Sequence, residues 1–157
     1  MANKAEELLT LFKEKGWTLG SVESMTAGLF GATVCSVPGA SKVYRGGIIS
    51  YHPGVKVKLA GVCQKDIDTY GVVSKEIAKE MAEGGRKALE ADCVISITGN
   101  AGPTAEPGEA PVGEIDMAVA SNKETYIKQV ILRGNRNEIR EAAVEKMIEF
   151  LLEIAKS

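Results

Sequence analysis

Three residues able to do acyl chemistry stand around one apolar run in GASKVYRGGIISYHPGVK, residues 39 to 56: Ser41, Tyr51 and Lys56. A serine hydroxyl attacks a carbonyl when a neighbour takes its proton, and a lysine does so when burial keeps its amine uncharged. A tyrosine can relay that proton. The outcome would be acyl transfer without histidine, which suits a chain whose one histidine is His52 and which therefore cannot build a histidine-rich metal cluster. Spacing alone does not make the trio a site. A serine and a lysine fifteen positions apart occur in most chains, and a solvated lysine is the simpler reading.

Two further stretches could hold a ligand. In ESMTAG, Glu23, Ser24, Thr26 and Gly28 follow a short strand at the mouth of a helix, where unpaired backbone amides favour an anion such as a phosphate or carboxylate. The plainer alternative is that Ser24 or Thr26 only caps the helix. In TGNAGP, Thr98, Gly99, Asn100 and Gly102 close an apolar strand, but the further glycine and lysine of a phosphate-cradling loop are missing. An ordinary strand-to-loop turn explains that pattern equally well.

The elements that must position these residues are legible from periodicity and punctuation. A helix over about Ala2 to Lys15 stops at Gly16, a strand lies in WTLGSVES, and a small-residue helix lies in MTAGLFGATVCSV. A second strand, VYRGGIISY, precedes short helical turns in GVKVKLAGV and QKDIDTYG. Ser74 then caps a helix running to about Leu89. DCVISITG is continuously apolar from Cys93 to Ile97, as a strand covered on both faces must be, and is placed at the sheet centre. GNAGPTAEPGEAPVG is too rich in Gly and Pro for helix or strand, which makes it a long loop. EIDMAVAS and TYIKQVIL form a hairpin about Asn122-Lys123, and the last helix opens at Asn135 with Glu138 three residues on. This order predicts an α/β fold, a three-layer α/β/α sandwich with a mixed, mostly parallel sheet of about five to six strands, in a single domain over residues 1–157. The three candidate stretches then fall at strand ends, the usual place for sites in open α/β sheets.

Composition narrows the partners. Nineteen Lys and Arg against 21 Asp and Glu are scattered rather than striped, which argues against nucleic acid. No apolar run approaches the ~20 residues that cross a bilayer, and the amphipathic first helix is no secretory signal, so a cytoplasmic location is expected. Cys35, Cys63 and Cys93 are odd in number and form no CxxC pair, which predicts reduced, buried thiols and neither disulfide nor zinc.

Six motifs in order carry a resemblance over nearly the whole chain. VESMTAG resembles A-E-S-C-T-G-G of the C-terminal domain of the competence-damage-inducible (CinA) family. PGASKVYRGGIISYHPGVK resembles its P-G-S-S-x-x-x-x-G-G-x-x-x-Y-S-N-x-x-K, and GVVSKEIAKEMAEGG resembles its G-A-V-S helix start. TGNAGP resembles T-G-I-A-G-P, while PVG and GNRNEIR resemble P-V-G-T and G-D-R-x-x-I-R. The family includes stand-alone nicotinamide mononucleotide deamidases. The resemblance implies hydrolysis of that carboxamide to nicotinate mononucleotide and ammonia, with no metal or organic cofactor. It puts Ser41 at the nucleophile position, Lys56 at the base and Tyr51 where it assists proton transfer. Substrate contacts are expected from Glu23, Ser24, Thr26, Gly28, Thr98, Gly99, Asn100, Gly102 and Arg136, the guanidinium suiting a phosphate. A homo-oligomer, first of all a dimer, is the expected assembly. Longer relatives carry a large N-terminal pyrophosphatase domain, for which 157 residues leave no room.

The chain departs from the pattern at Met25, Ala27, His52-Pro53, Asn100, Ala110, Glu114 and Asn135, and Thr104 and Ala105 replace glycines. Several of these lie in the loops expected to touch substrate. Two alternatives therefore stay open: a catalytically silent nucleotide-binding module, and an amidohydrolase for a related amide.

Overall fold

Two strands set the frame because they are buried on both faces. The computed structural model describes residues 2–157, and in it β1 (Leu19–Glu23) is buried throughout and β3 (Cys93–Gly99) is buried up to its last residue. Such strands need a layer on either side. In chain order the elements are α1 (Ala2–Lys15), β1, α2 (Leu29–Cys35), β2 (Tyr44–Ile49), α3 (Pro53–Ala60), α4 (Gln64–Tyr70), α5 (Lys75–Leu89), β3, β4 (Glu114–Ala120), β5 (Thr125–Ile131) and α6 (Arg136–Lys156). The five strands form one open sheet in the order β2-β1-β3-β4-β5. Parallel pairing joins β2 to β1 and β1 to β3, and antiparallel pairing joins β3 to β4 and β4 to β5. Two of the four pairings are thus antiparallel, the β4–β5 hairpin and its docking on β3, a larger antiparallel share than "mostly parallel" describes.

Helices α1, α2 and α6 cover one face, where Phe12, Phe30, Ile95, Ile97, Met147 and Leu151 form the larger core. Helix α5 covers the other with Ile77 and Met81 against Val22 and Val94, and with Ala78 and Ala82 against Ala118 and Ala120. Small residues let this layer sit close. A Cβ at Gly84 would collide with the Ala60 carbonyl, and one at Gly85 with the Val22 side chain. Helix α3 is thereby held directly against α5, which fixes where Lys56 enters the site.

The cysteines correct one expectation. Only Cys93 is buried, and burial pushes its thiol up to about 11; Cys35 and Cys63 are exposed on short helix termini. Among the described residues no helix is long and apolar enough to cross a membrane.

The crossovers also locate the crevice. From β1 the chain passes through α2 to β2 on one side, then returns through α3, α4 and α5 to β3 on the other. The carboxyl ends of β1 and β3 therefore flank a topological switch point, where open α/β sheets bind ligands.

Candidate active site

Ser24 is the first residue past β1, and its amide donates to the Ile97 carbonyl of β3 at 3.1 Å, which pins it at the switch point. Lys56 arrives from α3. That helix starts sharply because Pro53 occupies its first turn and the His52 ring nitrogen Nδ1 accepts the Gly54 amide. Lys56 is 1 % exposed, and its Nζ lies 2.9 Å from Ser24 Oγ, 2.6 Å from the Ser50 carbonyl oxygen and 3.5 Å from that of Tyr51. Burial pushes its pKa down to about 8. The three neighbours suit both charge states. An ammonium donates to all three, whereas a free amine gives its two hydrogens to the carbonyls and leaves its lone pair for the Ser24 hydroxyl.

Ser41 is not part of this pair. It is exposed, in a single 3-10 turn (Ala40–Lys42) that leads into the first residue of β2, whereas Lys56 follows the last. Six residues of extended chain separate the two ends by roughly 16 to 20 Å. Fifteen positions in sequence thus become opposite ends of β2. Tyr51 lines the pocket, but its hydroxyl accepts from Arg136 Nη2 at 3.0 Å and makes no hydrogen bond to Ser24 or Lys56.

Glu23 faces away from the ligand space. Its carboxylate is 2 % exposed and accepts from Thr26 Oγ1 at 2.7 Å and from the amides of Gly28, Phe30 and Gly31 at 3.0–3.1 Å. The anion expected at this helix mouth is thus the chain's own carboxylate, and Thr26 is spent on it. The wrap also shortens the helix: residues 24 to 28 form a turn, with Ala27 and Gly28 at φ +48° and +96°. Because Glu23 holds the turn that presents Ser24, Glu23→Gln should destabilise the fold by about 3 kcal/mol, since its amide would oppose several N–H donors. Urea unfolding measures this, and Glu23→Asp should recover part of it.

The other expected contacts divide. Thr98 Oγ1 donates to the Val72 carbonyl, and Asn100 staples its own loop, donating to the carbonyls of Thr104 and Ala110 and accepting the Gly102 amide. Thr98, Gly99 and Asn100 line the pocket all the same. Gly102 does not line it; at φ +78° its carbonyl accepts from Arg136 Nη1 at 2.6 Å. Arg136 is the guanidinium at the rim.

Arg140, one helical turn on, is a residue the sequence reading left without a role. Its Nε donates to the Met25 carbonyl at 2.9 Å and its Nη2 to that of Thr26 at 3.2 Å. A trans peptide points its N–H opposite its C=O, so gripping the Met25 oxygen turns the Thr26 amide away from α6. Among the described residues, the amides of Met25 and Thr26 donate to no protein acceptor.

These groups surround a cavity of about 600 Å³, lined among others by Ser24, Lys56, Tyr51, Glu114 and Arg136. The fold and this crevice define an open α/β domain with a buried serine–lysine contact at its switch point. The chain belongs to the CinA C-terminal domain family, whose model matches residues 1–155. A CinA-like protein of Leptospira borgpetersenii serovar Hardjo-bovis is 41% identical over 152 residues, 96% of this chain and 36% of that protein. One of Kosmotoga olearia is 39% identical over 146 residues, 93% of this chain and 35% of that protein. The chain spans about a third of the length of these curated relatives. Among solved structures, the competence/damage inducible protein CihA from Agrobacterium tumefaciens matches with a TM-score of 0.92 at 28% identity, covering 99% of this chain and 95% of that one. A CinA superfamily protein from Klebsiella pneumoniae matches at 0.96 and 22% identity, covering 99% and 97%, a likeness of fold.

Proposed function

We propose that this chain is an amidohydrolase in which Ser24 attacks and Lys56 is the base, acting on the carboxamide of nicotinamide mononucleotide. One observation carries the reading: a buried amine, with its pKa lowered to about 8 by burial, lies 2.9 Å from a serine oxygen in a pocket. The substrate follows from the family resemblance and from the Arg136 guanidinium, which retains donors for a phosphate.

Ser24 Oγ bonds to the amide carbon while its proton passes to the Lys56 amine. The carbonyl electrons move to oxygen, and the oxyanion rests on the Met25 and Thr26 amides that Arg140 orients. As the carbonyl re-forms, the carbon–nitrogen bond breaks and the Lys56 ammonium returns its proton, so that ammonia leaves. Water repeats the attack on the Ser24 ester with Lys56 again the base. The products are nicotinate mononucleotide and the free serine. Tyr51, bound to Arg136, belongs to the phosphate end of this scheme rather than to the proton path. The active protein is proposed to be cytoplasmic and homo-oligomeric, acting on a free nucleotide.

Ammonia release from nicotinamide mononucleotide tests the assignment. The rate kcat/KM should rise with pH and level off above an inflection near 8, where Lys56 loses its proton. Release that falls over the same range would remove Lys56 as the base, and none at all with measurable nucleotide affinity would favour the silent binding module instead.

A further inference from the structure

Glu114 is the first residue of β4, and its place in the sheet puts it well away from the serine. Glu23 is paired with Ile97, and Thr98 with Asp116, so Ser24 and Asp116 lie in one row across β1, β3 and β4. Glu114 lies two residues before Asp116 on β4, on the same face, and two interstrand steps put it roughly 10 Å to the side of β1. It lines the same cavity as Ser24. A ligand that meets both must span that distance.

The wall at Glu114 is rich in acceptors and short of donors. One Gln129 amide group serves two carboxyls, giving 2.6 Å to Asp116 Oδ1 and 3.3 Å to Glu114 Oε2. Asp116 is fully buried, and its Oδ2 has no hydrogen-bond partner. An orphaned oxygen behind a pocket-lining carboxyl calls for a hydrogen, either shared between the two acids or brought by whatever binds. Burial and the neighbouring Asp116 push Glu114 up to about 7, which fits a proton held between them in the free protein; Lys75 of α5 pulls the other way. Phosphate is unwelcome at such a wall. It is better served by Arg136, elsewhere on the cavity lining, which offers donors. Lys75 of α5 already acts on Glu114, and among the described residues no third acid, histidine or cysteine joins the pair to hold a metal ion. Neutral donors fit best, and a vicinal diol gives a carboxylate two at once.

We propose that Glu114, backed by Asp116, is a specificity determinant that accepts hydrogen bonds from the vicinal hydroxyls of the substrate's sugar. This rests on the nucleotide reading above, with the reacting amide at Ser24 and the phosphate at Arg136. The charged groups around Glu114 are Asp116 on β4, Lys75 on α5, Glu109 on the long loop, and Lys56 and Arg136 elsewhere in the cavity. Hydroxyl donors favour the ionised form, so KM should rise as pH falls below about 7 while kcat keeps the Lys56 inflection near 8.

The test compares nicotinamide mononucleotide with its 2′,3′-dideoxy analogue on the wild type, Glu114→Gln and Glu114→Thr, each checked by thermal unfolding. Glu114→Gln should raise KM for the nucleotide about tenfold, leave kcat unchanged and abolish the acid rise in KM. It should leave KM for the analogue, already raised about tenfold in the wild type, where it was. Equal losses for both compounds, or none for either, overturn the proposal while leaving the serine–lysine reading intact. If the wild type releases no ammonia, that reading fails, and calorimetric affinities of the same two compounds decide the matter: a diol preference lost in both variants supports the wall, and equal affinities or no binding overturn it.

Discussion

Replacing Ser24 with alanine is expected to lower ammonia release from nicotinamide mononucleotide by at least about a thousandfold, because removing the attacking atom leaves only binding and oxyanion stabilisation. KM should change little, since the nucleotide keeps Arg136 and the loop contacts. Ser41→Ala should stay within about twofold of the wild type, a surface substitution at the far end of β2. The two serines are therefore a matched pair. The 2.9 Å contact to Lys56 distinguishes them, and a large loss in the Ser41 variant with a small one in the Ser24 variant would reverse the assignment.

Lys56→Met is expected to remove activity on a similar scale, at least about a thousandfold, once base and proton donor are gone together. Its effect on stability is equally diagnostic. The folded-state pKa, about 8, lies below the ordinary 10.5, so burial penalises the charged form. Below pH 8 both folded and unfolded chains carry the proton, and the penalty is complete. Between 8 and 10.5 the unfolded chain binds more protons, so stability rises with pH; above 10.5 the penalty is gone. The rise amounts to about 3 kcal/mol at 1.36 kcal/mol per pKa unit. Methionine fills similar space without titrating. Denaturant unfolding of wild type and variant across this range should show a pH-dependent gap that closes towards pH 10.5. A gap that does not change with pH would mean that the lysine is not held uncharged.

Much of this architecture can be read from the chain. The uninterrupted apolar run Cys93–Ile97 marks a strand covered on both faces, and Asn135 with Glu138 marks the start of α6, where both capping hydrogen bonds are present. Lys56 is also legible, because a lysine one turn into a helix after a strand end matches the family pattern. Its partner is harder to find. Ser41 is close in sequence, but β2 intervenes, whereas Ser24 is 32 positions away and meets Lys56 only because β1 and β2 pair in parallel and end together.

Glu23 shows a second reason for the difference. An acid at a helix mouth signals an anion site, yet nothing local says whether the anion comes from a ligand or from the chain. Thr26, Gly28, Phe30 and Gly31 all turn inward to Glu23, and that decision is made by the tight turn after β1. Arg140 and the Glu114–Asp116 pair depend on tertiary placement even more. Arg140 reaches its two carbonyls across more than 110 positions, and the two acids share a face because residues two apart on a strand point the same way. Departures from the family pattern at Glu114 and Asn100 were visible as letters. Their consequences, an acceptor-rich wall and a stapled loop, depend on the fold.

During turnover the acyl group should sit on Ser24. Acid-quenching the protein during steady-state hydrolysis of nicotinamide mononucleotide, followed by fragmentation mass spectrometry of the segment holding both Ser24 and Ser41, locates that group directly. The expected mass is an ester of nicotinate mononucleotide, the acyl group still bearing its ribose phosphate, on Ser24; it should be absent from Ser24→Ala and present in Ser41→Ala. The same mass on Ser41, with Ser24 unmodified, would contradict this assignment.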